Sequence, residues 1–580
     1  MNLNTRITWP AWAWVNSTVD IISWLYAELG YSLISDIEYE SRIKWWVNFF
    51  DVNISDNNNF FLTKKVDIIL AFNQESLEKQ LSSLKSDATI ILNSKWLKKL
   101  LDKQIDLSSF NVLELDINDK YDNTYLLWIY ALYLNLDLDI ILNKIEKIFT
   151  RKWQEVVEKN QNIVKEIFNT YKIEKKSDIK ISKIGKTKNL TYWNKALTLW
   201  AIKWWLEFYS AYPMTPASTI LTEIIKSKKV TYIQNEDEIA VINSALWASF
   251  TWARAMTGTS GWWFALMTEA LSFAVQAEFP ITVVLSQRAW PSTGTPTYHE
   301  AWDLNFALNP TFGDFNHVVM YPSNLEEAHY FGWLALNIAD KYQTQVILLM
   351  DKQSSELHWT VWELTSPEID RWIILDNPPT NYKRYEYTDS GISPRVKVWT
   401  KNWDFISSSY EHDEYGATSE DPEIKKAMTE KKYKKLDNFF EKEWISGYEI
   451  YNNKQSGYPQ GVPLQKNIPT KIIITTSFTS YTAKHFVENN PEFGLIIIKF
   501  LKPLDERLRN ELIWKEEIIF AESNYSGQLE NYLTKELALN YIDWLKISNI
   551  RKYDLFPFYI EDFNELKYPP SNSPLVRGRK

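Results

Sequence analysis

The sequence predicts an α/β fold that is divided among several domains. Its 580 residues are enough for two to four domains. Short, continuous apolar runs alternate with longer segments of helical periodicity, which is the pattern of a layered α/β protein. The runs are VDIILA at 66–71, TIIL at 89–92, ITVVLS at 281–286, QVILLM at 345–350 and KIIIT at 471–475. Such runs are typical of parallel strands that are buried on both faces.

The predicted elements group into three α/β blocks. The first block covers residues 1–172, and a lysine-rich linker at 173–189 follows it, which we interpret as a solvated connection. The second block covers 190–365, and the third covers 466–570. Between them, the polar residues 366–465 predict an irregular connector, and 571–580 predict a disordered tail.

Within these blocks the elements follow from periodicity and composition. Strands are predicted at 6–8, 31–34, 494–499 and 517–521 beside the runs already given; helices are predicted at 17–29, 124–150, 153–171 and 237–256, and a charged helix at 422–443.

Composition excludes several classes of function. The net charge is −9, which argues against a nucleic-acid or anionic membrane surface. The N-terminus lacks the pattern of a signal peptide, and no run of 18 apolar residues predicts a transmembrane helix. Cysteine is absent and the six histidines are scattered, so the sequence predicts no disulfide, no thiolate-bound iron–sulfur cluster and no metal site in this chain. We therefore expect a cytoplasmic protein.

Tryptophan and glycine are present in unusual proportions. The chain has 28 Trp and 15 Gly, whereas average usage of about 7% predicts about 40 Gly. Many Trp lie in small-residue turns, where a Cβ atom is disfavoured; they include those at 12, 14, 45, 46, 204, 205, 262, 263 and 290. Our hypothesis is that UGA codons, read as Gly in the native organism, are translated here as Trp. The alternative is a genuinely Trp-rich protein with aromatic platforms.

Two loops near the N-terminus are candidate anion sites. With Gly in place of Trp, residues 9–14 read G-x-x-G-x-G between a strand and a helix, which is a phosphate-cradle pattern or a plain structural turn. Ser41, Arg42 and Lys44 precede Trp45-Trp46 and could hold an anionic substrate such as coenzyme A; a solvated loop is the alternative.

A set of motifs in the second and third blocks is far more specific. It comprises AYPMTPAS at 211–218, NEDEIA at 235–240, ALWASFTWARAMTGTSGWW at 245–263, LMTEALSFAVQAEFP at 266–280, QRAWPSTGTPT at 287–297, SYEHDEYG at 409–416 and ESNYSGQL at 522–529. Together they resemble the alpha subunit of 2-oxoacid:ferredoxin oxidoreductases of the 2-oxoglutarate synthase type, in the form with a gamma domain fused at the N-terminus. The mismatches within the family patterns are Trp in place of Gly, at 247, 252, 262, 263 and 290.

The resemblance implies an architecture and a reaction. It implies a gamma-type α/β domain, a thiamine diphosphate-binding fold for the pyrimidine end of the cofactor, and a transketolase C-terminal-like domain. Such enzymes convert a 2-oxoacid (the 2-oxoglutarate or pyruvate class) and coenzyme A into acyl-CoA and CO₂, and they pass two electrons to ferredoxin. Thiamine diphosphate carries the carbanion chemistry.

Residue roles follow from matching the motifs. Glu238 is the candidate carboxylate against the cofactor's aminopyrimidine, with Glu236 as the nearby alternative; an exposed carboxylate at a helix N-terminus is the structural alternative. Arg288 and Thr215 are the candidates for the oxoacid carboxylate and ketone, although Arg288 could instead form a structural salt bridge.

The other candidates surround these three residues. We expect Tyr212, Pro213, Pro216, Ser292 and Thr293 to shape the substrate site, and Thr259, Ser260 and Gly261 to approach the cofactor. His412, between Glu411 and Asp413, has the composition of a metal cluster, but adjacent residues on an extended stretch rarely converge, so a loop or interface role is preferred.

The chain also lacks parts that the reaction requires. It has no G-D-G-x…N stretch for Mg²⁺ and no cysteine for an iron–sulfur cluster. The resemblance therefore implies a separate beta subunit that carries Mg²⁺ and the cluster, a dimer of alpha–beta units, and ferredoxin as the electron acceptor. Two alternatives remain: a non-catalytic scaffold with genuine Trp in its loops, and an aromatic-rich protein that stacks on sugars or nucleotides.

Overall fold

The computed structural model describes residues 2–10, 16–38, 47–57, 61–117, 122–149, 154–173, 177–179, 181–361, 370–371, 373–451 and 469–567. The chain forms two compact units. The first consists of 1–191 together with 357–363, and the second of 192–356 together with 364–580. The first unit is therefore built from two separate segments of the chain.

The first unit is a mixed eight-stranded sheet with helices. Its strands are β1 Asn2–Pro10, β2 Ser32–Glu38, β3 Val47–Ser55, β4 Val66–Ala71, β5 Leu84–Asn93, β6 Asn111–Leu115, β7 Asn189–Tyr192 and β14 His358–Val361. Its helices are α1 Asn16–Glu28, α2 Gln74–Gln80, α3 Ser94–Asp102, α4 Asp122–Tyr133, α5 Leu138–Phe149 and α6 Gln154–Thr170. The strand order is β6-β5-β4-β1-β3-β2-β14-β7.

Only part of this sheet is parallel. β1, β4, β5 and β6 run parallel, as the apolar runs within β4 and β5 predict for those two strands, whereas β3 pairs antiparallel with both β1 and β2. The helix predicted at 124–150 is two helices, because Asn135 adopts a left-handed conformation with φ +55° between α4 and α5.

The lysine-rich stretch is exposed at 182–187, as a solvated connection is, but it also makes specific contacts at both ends of this segment. Among its described residues, Ile184 and Lys188 donate backbone hydrogen bonds to the carbonyl oxygens of Leu29 and Ala27. Ile181 is buried, and the Nζ of Lys188 is buried against Ser32 Oγ at 2.5 Å. Burial lowers the pKa of Lys188. Composition alone missed this packing, because the aliphatic stems of lysines can cover apolar surface.

The second unit contains two sheets and one short strand pair. Its strands are β8 Phe208–Ala211, β9 Thr231–Gln234, β10 Ala255–Thr259, β11 Ile281–Gln287, β12 Val318–Met320, β13 Gln345–Asp351, β15 Ile374–Leu375, β16 Arg395–Val396, β17 Tyr448–Tyr451, β18 Lys471–Thr476, β19 Phe493–Ile498, β20 Phe500–Lys502, β21 Glu517–Glu522 and β22 Lys546–Arg551. Its helices are α7 Trp193–Lys203, α8 Ser218–Ser227, α9 Glu238–Phe250, α10 Thr268–Gln276, α11 Leu304–Leu308, α12 Leu325–Tyr342, α13 Lys352–Glu356, α14 Pro422–Lys434, α15 Phe439–Lys442, α16 Thr479–Glu488, α17 Arg507–Leu512, α18 Gln528–Glu536 and α19 Ile560–Asn564.

The larger sheet of this unit has the order β20-β12-β13-β11-β10-β8-β9 and is parallel except for β20. The other has the order β17-β19-β18-β21-β22. One apolar core joins the two sheets, since Val283 and Leu285 of β11 share a buried cluster with Ile474 and Phe520. Among the helices that the structure describes, none combines the length and hydropathy needed to cross a bilayer.

The helix predicted at 237–256 is too long. The helix α9 ends at Phe250, and residues 255–259 form the interior strand β10 instead. Trp252 adopts φ +86° between them, a conformation that terminates a helix and that side chains with a Cβ rarely adopt.

The charged helix predicted within the connector is interrupted, and part of it is buried. Residues predicted as one helix at 422–443 form α14 and α15, with Asn438 at φ +53° between them. Lys431 and Lys435 are buried, and both contact the carboxylate of Glu278, with Nζ–O distances of 2.7 and 2.6 Å. Arg384 donates to the Glu278 backbone oxygen at 2.9 Å. We refer to Glu278, Arg384, Lys431 and Lys435 as the Glu278 cluster.

Candidate functional site

Three of the sequence-predicted segments follow neighbouring parallel strands. The loop that contains Thr215 follows β8, residues 259–261 end β10, and Arg288 follows β11. These strands are adjacent in the sheet and run in the same direction. The segments therefore meet at the carboxyl edge of the sheet, which is where ligands bind in open α/β folds.

Arg288 is the central side chain at this edge. It is 4% exposed, and its Nη1 donates a hydrogen bond of 2.6 Å to the carbonyl oxygen of Thr215. Burial lowers its pKa, but an arginine stays charged at neutral pH. Its Nε is buried without a hydrogen-bond partner among the described residues. The alternative of a structural salt bridge is not borne out, because the ion pairs of the described residues do not include Arg288.

Gly261 forms the turn beneath this guanidinium. Its φ is +59°, and a Cβ atom there would lie 2.4 Å from Ser292 Oγ and 3.8 Å from Arg288 Nε. A side chain at this position would therefore displace Ser292 or crowd Arg288. The neighbouring Ser260 is buried, and its Oγ has no partner within the described part of the chain. Thr215, Gly261, Arg288 and Ser292 are thus brought together at this edge of the sheet.

Glu238 begins α9, shortly after the carboxyl end of β9. The Asp237 side chain caps the helix by accepting from the backbone nitrogen of Ala240 at 2.8 Å. Glu238 is 2% exposed, and Thr259 Oγ1 donates to its Oε1 at 3.4 Å. Burial raises the pKa of Glu238, against the hydrogen bond from Thr259. The alternative of an exposed helix-terminal carboxylate is therefore wrong, whereas Glu236 is exposed.

Asp303 also belongs to this site, and the sequence analysis missed it. It lies just before α11, and its backbone nitrogen donates to Gln287 Oε1 at 3.0 Å. Arg288 and the backbone N–H of Gly261 both act to lower the pKa of its carboxyl group, against the effect of burial, which raises it. The signal that could have found it is its position directly before an apolar helix, at the end of the loop that follows Arg288.

Some predicted residues lie elsewhere or outside the described residues. Pro213 and Thr293 are exposed, and Tyr212 packs against the apolar core. Pro216 is buried, and its carbonyl oxygen accepts from Asn194 Nδ2 at 3.1 Å. Ser41, Arg42 and Lys44 lie outside the described residues, as do Trp12, Trp14, Trp45 and Trp46.

His412 packs within a loop. It is buried, its Nδ1 lies 2.9 Å from the Asp413 carbonyl oxygen, and its ring lies 4.0 Å from that of Tyr385. Among the described residues, no group of three or more His, Cys, Asp or Glu side chains could hold a metal ion.

Comparison with known proteins gives the family. Residues 201–431 match the family described as pyruvate flavodoxin/ferredoxin oxidoreductase, thiamine diP-bdg, and residues 15–170 match pyruvate ferredoxin/flavodoxin oxidoreductase. The 2-oxoglutarate synthase subunit KorA of Methanocaldococcus jannaschii is 30% identical over 52% of this chain and 78% of its own length. The chain belongs to the alpha subunits of the 2-oxoacid:ferredoxin oxidoreductases.

Two further similarities cover nearly the whole chain. The 2-oxoacid:ferredoxin oxidoreductase subunit alpha of Sulfolobus sp is 28% identical over 91% of this chain and 92% of its own length. The fold is similar to that of the 2-oxoglutarate:ferredoxin oxidoreductase of Magnetococcus marinus, with a TM-score of 0.85 and 24% identity over 98% of this chain and 99% of that one. The chain is thus an oxidoreductase subunit with the predicted multidomain α/β fold, comprising a gamma-like region and a thiamine diphosphate-binding region.

Proposed function

We propose that this chain is the fused gamma–alpha subunit of a 2-oxoacid:ferredoxin oxidoreductase that converts a 2-oxoacid, coenzyme A and two oxidised ferredoxins into acyl-CoA, CO₂, a proton and two reduced ferredoxins. The observation that carries the proposal is the position of Arg288. It lies buried at the carboxyl edge of a parallel sheet, and its Nε has no hydrogen-bond partner among the described residues. A buried guanidinium with open hydrogen-bonding capacity is suited to an anionic, planar group such as a carboxylate.

The described residues fit the aminopyrimidine end of thiamine diphosphate. Glu238 is a buried carboxyl group whose pKa is raised by burial, so it can hold and return a proton at a ring nitrogen. Thr259 orients this carboxyl group, and the unpartnered Oγ of Ser260 lies in the next residue along the chain. When bound, the cofactor would supply the electron sink for decarboxylation.

The substrate end of the site is assigned to Arg288 and Thr215. Arg288 would bind the oxoacid carboxylate, and the backbone contact with Thr215 fixes its orientation. The Thr215 hydroxyl can donate to the same group. Because these contacts engage the part that all 2-oxoacids share, we propose 2-oxoglutarate or pyruvate as the substrate class. Ser292 lies against the Gly261 turn and would keep the loop after Arg288 in place.

The remaining components would come from partners. Since the chain has no cysteine, an iron–sulfur cluster in the complex has to be ligated elsewhere. We assign the cluster and Mg²⁺ to a beta subunit, with ferredoxin as the acceptor and a dimer of alpha–beta units as the assembly. For coenzyme A we propose Ser41, Arg42 and Lys44, on the basis of their sequence pattern; the Magnetococcus marinus structure has 2-oxoglutarate, coenzyme A and succinyl-CoA bound.

Reconstitution tests this function and the carboxylate assignment together. The chain alone is expected to oxidise no 2-oxoacid, and addition of its beta subunit, thiamine diphosphate and ferredoxin is expected to restore turnover of 2-oxoglutarate or pyruvate. Within that complex, Glu238→Gln is expected to lower kcat by about 10²–10⁴-fold, since it removes a proton-transfer group. The matched control is Glu236→Gln, which changes the exposed alternative and is expected to leave kcat unchanged.

The outcomes separate the two assignments. Activity of the isolated chain would refute the division between subunits, and a complex that turns over no 2-oxoacid would refute the function. A loss of activity in Glu236→Gln but not in Glu238→Gln would move the cofactor carboxylate to Glu236.

We further propose that many of the 28 Trp are glycines in the native protein. Trp makes up 28 of 580 residues, yet four of the 14 non-glycine residues with positive φ in the described part of the chain are Trp. They are Trp205, Trp252, Trp399 and Trp444, with φ from +52° to +86°. This region favours glycine, because a Cβ costs about 1–2 kcal/mol there. Intact mass spectrometry of the protein from its native source tests the idea, and a mass that matches 28 Trp refutes it and favours the scaffold alternative.

A further inference from the structure

Asp303 is a partly exposed ionisable residue with one buried carboxyl oxygen, and the proposed roles leave it unused. Its Oδ2 is buried without a hydrogen-bond partner among the described residues, while the Gly261 N–H acts to lower the pKa of the same carboxyl group. Its backbone is held by Gln287, the last residue of β11. A buried polar atom without a hydrogen-bond partner lowers the stability of the fold. Such an atom at the ligand-binding edge of the sheet therefore indicates a role in binding.

Asp303 and Arg288 interact electrostatically. The two side chains carry opposite charges when Asp303 is ionised. The Oδ2 of Asp303 and the Nε of Arg288 are both buried without a hydrogen-bond partner in the described part of the chain. The structure records no ion pair between them within 4.0 Å. They are therefore close enough to interact electrostatically but are not closed into a salt bridge, which leaves the guanidinium available to a second anion.

Opposing effects act on the pKa of Asp303. Burial raises the pKa of Asp303 to about 7, although Arg288 and the Gly261 N–H act to lower it. The other titratable group recorded as interacting with it is Tyr321, which follows β12; burial raises its pKa, so it is neutral at pH 7. Bringing an anion to Arg288 would offset the positive charge that favours ionised Asp303 and would add a negative charge beside it.

We propose that Asp303 is a positioning residue that takes up a proton from solvent when a 2-oxoacid carboxylate binds to Arg288. Protonation removes the repulsion between the two carboxyl groups and lets Asp303 remain near the guanidinium, with its backbone held by Gln287. Above neutral pH the site has to protonate Asp303 before the substrate binds well. This inference rests on the proposed function.

The test is the pH dependence of the oxoacid KM in the reconstituted alpha–beta complex. For the wild-type complex, KM is expected to rise with pH between about pH 6 and pH 9, by about tenfold for each unit by which binding raises the pKa of Asp303. Asp303→Asn mimics the protonated carboxyl group, so its KM is expected to stay near the wild-type value at low pH and to lose this dependence. Asp543→Asn, at an exposed position, is the matched control and keeps the wild-type profile.

The outcomes are distinguishable from failure of the function itself. If the complex turns over no 2-oxoacid, the proposed function falls and this inference falls with it. If turnover occurs but the wild-type KM is flat across this range, only the inference is overturned, and that result needs no variant to fold. An unchanged pH profile in Asp303→Asn also overturns it, whereas a uniform rise in KM at all pH values indicates a purely structural role and overturns it as well.

Discussion

The Glu278 cluster and the Arg288 site both bury charge within the second unit, but they do so in opposite ways. Glu278 has Lys431 and Lys435 on its carboxylate and Arg384 on its backbone oxygen. Although burial acts to raise it, these lysines hold the pKa of Glu278 well below its usual range. At the Arg288 site, the Nε of Arg288 and the Oδ2 of Asp303 are open within the described residues. Buried charges that pair with one another are suited to stabilising a fold, whereas buried charged groups with unused hydrogen-bonding atoms are suited to binding a ligand.

Breaking the closed cluster is expected to give the largest effect. Glu278→Gln leaves Lys431 and Lys435 buried without their counter-ion, and breaking such a pair costs about 3–5 kcal/mol. Chemical denaturation followed by circular dichroism measures the loss in free energy of unfolding. Glu420→Gln, which changes an exposed carboxylate just before the helix α14 that carries Lys431, is the control. A loss in the free energy of unfolding below about 1 kcal/mol is what a surface ion pair contributes. Such a result would contradict the contrast between the Glu278 cluster and the Arg288 site.

The open site is expected to respond in activity rather than in stability. Arg288→Gln is expected to lower kcat/KM by about 100-fold, or about 2.7 kcal/mol, because the oxoacid carboxylate loses its charged partner. Its stability is expected to change little, since Asp303 can accept a proton when the guanidinium is absent. Steady-state kinetics of the reconstituted complex, alongside the same denaturation series, measures both. A large stability loss with unchanged kcat/KM would make Arg288 a structural residue.

A smaller effect is expected when the backbone turn at Gly261, beside Arg288, is changed. Gly261→Ala places a Cβ at φ +59° and 2.4 Å from Ser292 Oγ, which is expected to cost about 1–2 kcal/mol and to raise the oxoacid KM by displacing the loop of Arg288. Gly294→Ala is the matched control in the adjacent loop, where a Cβ would meet Pro291 at 3.5 Å or more and φ is not in the left-handed region. Equal behaviour of the two variants in stability and KM would contradict the role assigned to the turn.

The sequence carries the fold class and the main site residues, because both depend on local signals. The apolar runs at 66–71 and 345–350 became buried strands, and Thr215 and Arg288 follow the strands that place them together. Composition could not reveal which group each buried charged side chain contacts. Lys188, Lys431 and Lys435 look solvated in a linear sequence, yet each is buried, because the matching groups lie far away along the chain. Asp303 was missed for the same reason: its importance comes from Arg288 and Gly261, which tertiary structure brings near.

The short strand β14 gives the first unit an unusual dependence on the rest of the chain. It pairs antiparallel with β2, the backbone nitrogen of Leu33 donates to Thr360 Oγ1 at 3.0 Å, and Trp359 is 2% exposed. A fragment that ends at residue 191 would lack this strand and leave the β2 edge open to pairing with another copy. A soluble version of the N-terminal unit therefore has to carry residues 357–361 as well, for example through a short peptide linker that returns β14 to its place.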